Sequence, residues 1–338
     1  MMILPLYDLN NKYRQSIDNF LKEFNILLKS SDYILGRHVE QLESAISNFT
    51  GIRSAVGVGN GTDALILSLR YLKSQLPAHI NQVITSPLSY LATTSSILHA
   101  GFKPVFCDID ESLNINPDSL NNCLNEHTAG IQLVHYSGIP CDLSRINDFA
   151  RSNNLFLIED CAQSFGALYS GHHVGHYADF ATLSFHPLKL LSCIGDGGMI
   201  LTNNTDAAKW LQCARNHGHI GRDDCEFVSI NSRLDSIQAA FIISSFNQSL
   251  SEIKIRRDQA AFLRQSIANP YISFPTYPDL STPSYNWFVL LADRRDSLQA
   301  YLLDRGIESK VHYPRLIPQM KFMRDHDIDL TSLSTAFR

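Results

Sequence analysis

Seven short runs of β-branched and aliphatic residues follow one another between residues 54 and 203: SAVGVG, QVITSP, PVFCDI, IQLVHY, LFLIED, ATLSF and GMILTN. Most are separated by segments whose apolar residues fall three and four apart, among them TDALILSLRYL, YLATTSSILHAG, NPDSLNNCLNE and LSRINDFARSNN. Short apolar runs fit strands covered on both faces, and the three-to-four spacing fits amphipathic helices. Strands alternating with helices imply a largely parallel sheet, so the pattern predicts an α/β fold with a seven-stranded, mostly parallel sheet between helices.

Two helical segments precede it, NNKYRQSIDNFLKEFNILLKS and RHVEQLESAISNF. From about residue 233 a long helical pattern leads away from the sheet. A smaller α+β unit follows, with YNWFVLLA as a strand, RRDSLQAYLLDRG as a helix closed by glycine, and IESKVHYP as a strand. The expected division is a large domain over residues 1–245 and a small C-terminal domain over 246–338. Neither internal repeats nor a low-complexity linker interrupts the pattern.

Bulk properties narrow the functional classes. A net charge of -5 and a pI near 6.2 give no basic footprint for nucleic acid. No apolar run reaches the roughly 18 residues of a membrane span, and the opening MMILPLYDLNNKYRQ is too short and polar for a signal peptide. Seven cysteines, odd in number and without a CxxC pair, read as reduced thiols of a cytoplasmic protein. GHHVGH lacks a helical i, i+4 histidine pair and a nearby carboxylate cluster, and reads as a polar hairpin rather than a metal site.

In open α/β sheets ligands bind beyond the carboxyl ends of the strands. After the first run, Asn60 and Gly61 form a turn and Thr62 begins a helix, which reads either as an anion cradle or as an ordinary capped helix start. After the second comes Tyr90, at the mouth of a site or in the core. After the fifth, Glu159 and Asp160 end a strand too apolar to be exposed, so each needs a partner: a helix terminus, or a cationic ligand such as a protonated ring nitrogen. After the sixth comes Lys189, a solvated loop residue or a nucleophile. An anion cradle, an aromatic, a carboxylate and a lysine at one sheet edge converge on pyridoxal 5'-phosphate, which takes a Schiff-base lysine and an acidic partner for its ring nitrogen. A nucleotide-binding oxidoreductase is disfavoured, because GVGNGTDA has no GxGxxG pattern.

On the same residues the chain resembles the nucleotide-sugar aminotransferases of the DegT/StrS type, in the aspartate-aminotransferase superfamily of fold type I. The resemblance runs from PLYDLNNKYR through YILGRHVEQLESAISNFTGIRSAVGVGNGTDAL, PVFCDID, VHYSGIPCDL, IEDCAQSFGA and SFHPLK to NSRLDSIQAA and GIESKVHYP. It implies that Lys189 forms the internal aldimine and that Asp160 pairs with the pyridine nitrogen. It implies further that Gln163 lies near the ring's phenolic oxygen, that Tyr90 stacks on the ring, and that Gly61, Thr62 and Ser184 bind the phosphate. Asn231 matches an asparagine that reaches the phosphate of the neighbouring subunit, which implies a homodimer with shared active sites. The implied reaction moves an amino group from an amino acid, usually L-glutamate, to a keto sugar on a nucleoside diphosphate. Related dehydratases have histidine where Lys189 stands, so lysine favours transamination.

NSRLDSIQAA and the IGDGG turn are more similar to the branch acting on 3-keto sugars, where 4-keto enzymes often show a GEGG-like turn. VHYSGIPCDL, SFHPLK and VITSPLSYLATT are also similar to 4-keto enzymes. A 3-keto sugar is the expectation and a 4-keto sugar the alternative. Two features depart from the family pattern. Leu190 stands where asparagine often follows the lysine, and the sequence ends at DLTSLSTAFR where members usually continue for a few tens of residues. The second feature leads to an expectation of a shortened small domain, with a truncated, non-catalytic family member as the alternative.

Overall fold

The computed structural model describes residues 3–221, 223–326 and 330–337. All seven expected runs form strands of one sheet: β1 (Ser54–Val58), β2 (Gln82–Thr85), β3 (Lys103–Phe106), β4 (Thr128–Val134), β5 (Phe156–Asp160), β6 (Phe180–Ser184) and β7 (Gly198–Thr202). Their order is β1-β7-β6-β5-β4-β2-β3. Strand β7 runs antiparallel to both β1 and β6, while the other neighbours are parallel. Every residue of β4 and β5 is buried, as parallel strands covered on both faces must be.

Among the described residues, eight helices of eight residues or more surround this sheet or extend from it: α1 (Ile17–Ser30), α2 (Arg37–Thr50), α3 (Gly61–Ser74), α4 (Ala92–His99), α5 (Leu143–Ser152), α6 (Thr205–Ala214), α7 (Ser236–Ser266) and α8 (Arg295–Asp304). Short polar side chains start several of them. Asn60, Asp142 and Asn204 accept the N–H groups of Asp63, Arg145 and Ala207, satisfying donors that have no partner inside the helix. One face of the sheet packs against Val39, Leu42 and Ile46 of α2, Leu143 and Ile146 of α5, and Ile242 and Ile253 of α7. The other packs against Leu65, Leu67 and Leu69 of α3, Ile97 of α4 and Leu211 of α6. Helix α7 runs unbroken past residue 245.

Beyond α7 the structure departs from the sequence expectation. Of YNWFVLLA, only Leu291–Ala292 pairs as a strand, against Ile272–Ser273. The reason lies in its carbonyls. Arg256 donates to the carbonyls of Tyr285 and Asn286, at 3.4 and 3.2 Å, and the Ser137 hydroxyl donates to that of Trp287 at 2.8 Å. Side chains have taken the acceptors a neighbouring strand would use. Among the described residues IESKVHYP makes a single bridge, Ile307 with Leu4, and helix α8 forms as expected. GHHVGH does lie in a hairpin, but its second histidine is buried: His173 Nε2 accepts the Gly166 N–H at 2.9 Å, and burial pushes its pKa down to about 4.

The described C-terminal segment, residues 330–337, is tied to Asp108, two residues past β3. Leu333 packs with Phe106, Ile317 and Met323. Asp108 accepts the N–H groups of Ile109, Thr335 and Ala336, at 2.9, 2.8 and 2.9 Å, and the Ser334 hydroxyl at 3.3 Å. Burial raises the Asp108 pKa, but these donors outweigh it and hold it below the usual carboxylate range. A carboxylate depressed in the folded state stabilises it fully above the unfolded pKa of about 3.9, and the contribution is lost as pH falls through the folded value. Acidification below about pH 4 should therefore release residues 330–337 before the sheet opens. Hydrogen exchange checks this; equal protection of the segment at pH 7 and pH 3 would rule it out.

Candidate active site

The carboxyl ends of β1, β5 and β6 bring the sequence candidates to one edge. Lys189 lies in the loop from Phe185 to Gly197, which folds back on itself: the Phe185 N–H donates to Gly197 O, Cys193 N–H to Phe185 O and Lys189 N–H to His186 O, each at 2.8–2.9 Å. Asp160 ends β5 and is buried. Its oxygens accept the Ala162 N–H at 3.0 Å and the Thr93 hydroxyl at 3.1 Å. Burial raises its pKa, opposed by Ala162, the charge of Lys189, Thr93 and His135. Burial lowers the pKa of the Lys189 amine, opposed by Asp160. The two groups thus sense each other's charge, but no cation among the described residues lies within 4 Å of Asp160. A buried carboxylate without a close cationic partner suits a protonated ring nitrogen.

The candidate anion cradle lies where β1 meets α3. Helix geometry leaves the first-turn N–H groups without internal partners. Asn60 caps that of Asp63 at 2.8 Å, and those of Gly61 and Thr62 remain at the helix start. Glycine at 61 is required by packing, because a Cβ there would stand 2.8 Å from the Cβ of Ser184 at the end of β6. Gly198 fits closely too, since its Cβ would meet the Asn60 carbonyl carbon at 2.4 Å. Backbone N–H groups at a helix start beside a serine make an anion-binding cradle.

The remaining candidates surround this pair of features. Tyr90 is 54% exposed, which excludes a core role, and its ring centroid lies 6.5 Å from that of Tyr313. Gln163 accepts the Ser137 N–H at 2.8 Å and donates to the Tyr313 hydroxyl at 3.5 Å. Asn231 is exposed and bridges to Asn216. Its neighbour Ser232 accepts the Gly59 N–H at 3.0 Å and donates to Asp63 at 2.7 Å, tying this segment to the cradle.

Several participants lie outside the sequence candidates. Thr93 follows Tyr90 in YLATT and bonds Asp160 directly. The segment holding His312 and Tyr313 closes over the site, with His312 O accepting the Tyr136 hydroxyl. Burial, then the charges of Lys310 and Lys189, lower the His312 pKa; burial and the charge of Asp160 raise that of Tyr313. Lys12, from the short helical turn Leu9–Lys12, donates to Lys189 O at 2.5 Å and to Ser192 Oγ at 2.8 Å. The sequence signal for these residues lay in their quoted surroundings, VITSPLSYLATT for Thr93, PLYDLNNKYR for Lys12 and KVHYP for His312 and Tyr313.

On the opposite face of β5, His135, Glu159 and Cys161 come together in a group that could suggest a metal ion. The Cys141 N–H donates to His135 Nδ1 at 3.1 Å, which leaves the ring proton on Nε2, facing Glu159 Oε2 at 2.8 Å. Burial also holds the Cys161 thiol well above its ordinary pKa. A protonated nitrogen and a protonated thiol suit a structural hydrogen-bond pair rather than a ligand set.

Fold and site together define a pyridoxal-phosphate-dependent transferase of fold type I. Residues 15–336 match the model of the DegT/DnrJ/EryC1/StrS aminotransferase family, and the chain belongs to that family. It is 35% identical over 312 residues to the dTDP-3-amino-3,6-dideoxy-alpha-D-galactopyranose transaminase of Aneurinibacillus thermoaerophilus, spanning 92% of this chain and 84% of that one. It is 33% identical over 313 residues to the UDP-2-acetamido-2-deoxy-3-oxo-D-glucuronate aminotransferase of Pseudomonas aeruginosa, spanning 92% and 86%. The crystal structure of S. venezuelae DesV in complex with a ketimine intermediate superposes with a TM-score of 0.93 at 29% identity, covering 98% of this chain and 90% of that one. The chain is thus an aminotransferase with pyridoxal phosphate as its cofactor. Among the described residues no helix is long and apolar enough to cross a membrane.

Proposed function

We propose that this aminotransferase moves an amino group from L-glutamate to C3 of a keto-deoxysugar carried on a nucleoside diphosphate, working in the cytoplasm as a homodimer. The observation that carries the reading is the placement of Lys189 and buried Asp160 at the sheet edge that also holds the Gly61–Ser184 cradle. Pyridoxal phosphate, when bound, supplies an aldehyde that accepts amino groups and a protonated ring that withdraws electrons from the neighbouring C–H bond. Asp160 keeps the proton on the ring nitrogen. The N–H groups of Gly61 and Thr62, with Ser184, hold the phosphate. Tyr90 would cover the ring face, and Gln163 would serve the phenolic oxygen. Asn231, exposed on its own chain, reaches the phosphate bound by a second copy. Lys189, its amine driven toward the neutral form by burial, would hold the cofactor at its aldehyde and would be the base that carries the proton of the donor's Cα. The division between the large domain, 1–245, and the small one, 246–338, is placed within α7, which would join them as a continuous helix.

The regiochemistry rests on the IGDGG turn and NSRLDSIQAA, and on the 3-amino and 3-oxo sugars named for the two relatives. Borohydride reduction with pyridoxal phosphate, followed by peptide mapping, tests the core of the reading. A cofactor mass on the peptide containing Lys189 is expected; no label, or a label elsewhere, would sink it and leave the non-catalytic reading. Assays with 3-keto and 4-keto sugar nucleotides then decide the carbon, and faster turnover of the 4-keto substrates would move the amination to C4.

A further inference from the structure

The Lys189 loop is held by more than its own backbone. Lys12 has crossed from the start of the chain to place its ammonium against the main-chain carbonyl of Lys189, 2.5 Å away, and against Ser192 Oγ, 2.8 Å away. Tyr13 OH bonds the same Ser192 oxygen. The other end of this strap is fixed to α7. Gln248 Nε2 donates to the Lys12 carbonyl, Ser16 Oγ donates to Gln248 Oε1 at 2.5 Å, and the Tyr13 ring meets Phe241 edge-on at 4.8 Å. The turn itself is capped by Asp8, which accepts the Asn11 N–H at 3.2 Å. Among the described residues the strap meets the loop at the Lys189 carbonyl and at Ser192 Oγ, and not at the Lys189 amine.

We propose that Lys12 is a positioning residue for Lys189: its ammonium links α7 to the Lys189 carbonyl and so sets where the Lys189 amine stands relative to Asp160. A lysine whose backbone drifts by an ångström presents its amine to the wrong atom, and such displacements are costly when reacting groups must meet in one geometry. A charged donor on a partly buried carbonyl is the stronger kind of hydrogen bond and suits a fixed anchor. The assignment rests on reading Lys189 as the residue that tethers the cofactor.

The environment of Lys12 adds a pH signature. The charged groups facing it are Glu252 and Arg256 of α7; Tyr13 beside it and Cys193 in the loop are neutral at physiological pH. Burial lowers its pKa to about 8, with Glu252 opposing and Arg256 adding to the fall. In an opened loop the amine returns toward its ordinary value of about 10.4. The open form then binds more protons between those values, so opening becomes less favourable as pH rises from about 8 toward 10.

Hydrogen exchange of the full chain, with intrinsic rates corrected for pH, tests this. Lys12→Met should raise exchange of residues 185–197 about tenfold at pH 7 while β4 stays protected, and Lys12→Arg should restore most of the protection. In the unsubstituted protein Lys12 should make the loop more protected from pH 8 to pH 9; buried Lys189 acts in the same sense and Cys193 and Tyr13 oppose it at higher pH, so Lys12→Met should weaken that dependence rather than abolish it. With pyridoxal phosphate and borohydride, Lys12→Met should label the same peptide at least severalfold more slowly. Equal loop exchange in the two proteins, or the same pH dependence in both, would overturn the role of Lys12. Absence of label in the unsubstituted protein would instead overturn the reading of Lys189, so the two failures are distinguishable.

Discussion

Replacing Lys189 with alanine should lower the transamination rate by about 10³-fold, within the range expected when a positioned acid–base group is lost. The fold should be unaffected, because the loop is held through its backbone, by Phe185, Cys193 and Gly197, and by the Lys12 contact to the residue-189 carbonyl. What disappears is the amine whose charge acts on Asp160 and which the proposed reaction uses to carry a proton. Two further results separate this account from simple misfolding. The cofactor should still stabilise the variant against heat, since Asp160 and the Gly61 cradle remain. A small primary amine in the buffer should return part of the rate, because it can enter and move the same proton. A Lys189→Ala protein with its rate intact would remove the lysine from the chemistry.

Asp160→Ala should act through a different term. In the cofactor-free protein the carboxylate is costly: burial raises its pKa, so the folded state resists the charge and loses stability as pH rises from the unfolded value toward the folded one. A bound ring cation reverses that balance. The variant should therefore be as stable as the parent, or more so, without cofactor, yet gain much less from its addition. Removing one member of a buried pair costs roughly 3–5 kcal/mol, so most of the cofactor's stabilisation should vanish. Catalysis should fall about 10²–10³-fold, since the ring no longer keeps the proton that makes it withdraw electrons. Thermal unfolding with and without pyridoxal phosphate measures the first effect. An Asp160→Ala protein stabilised by the cofactor as strongly as the parent would exclude the pairing.

What the chain discloses before folding follows from the range of its interactions. The seven strands are readable because each is buried on both faces and bounded by turns, so local composition carries the signal. Asp160 and Lys189 are readable because chain direction places strand ends together. Thr93 is not, since its bond to Asp160 joins residues 67 positions apart. Lys12 meets Lys189 across 177 positions, and no periodicity encodes such a meeting. YNWFVLLA has the composition of a strand, but what it becomes is decided by Arg256 and Ser137, which occupy its carbonyls from other parts of the chain. Tyr90 could be core or mouth until its exposure was known.

Strand β1 has a consequence for how the molecule is made. Among the described residues it pairs with β7 alone, and the Val58–Gly198 pair joins neighbouring strands that the sequence separates by the other five. Until that late strand has left the ribosome, the first one has no neighbour, and the helix start at Gly61 has no Ser184 beside it. The phosphate cradle is therefore a closing seam, joined after the rest of the sheet has ordered, and such long-range pairings come late and slowly. Capture of the cofactor then reports that the sheet has closed, so a chain not yet made as far as Thr202, or with β1 unpaired, should leave pyridoxal phosphate free in solution.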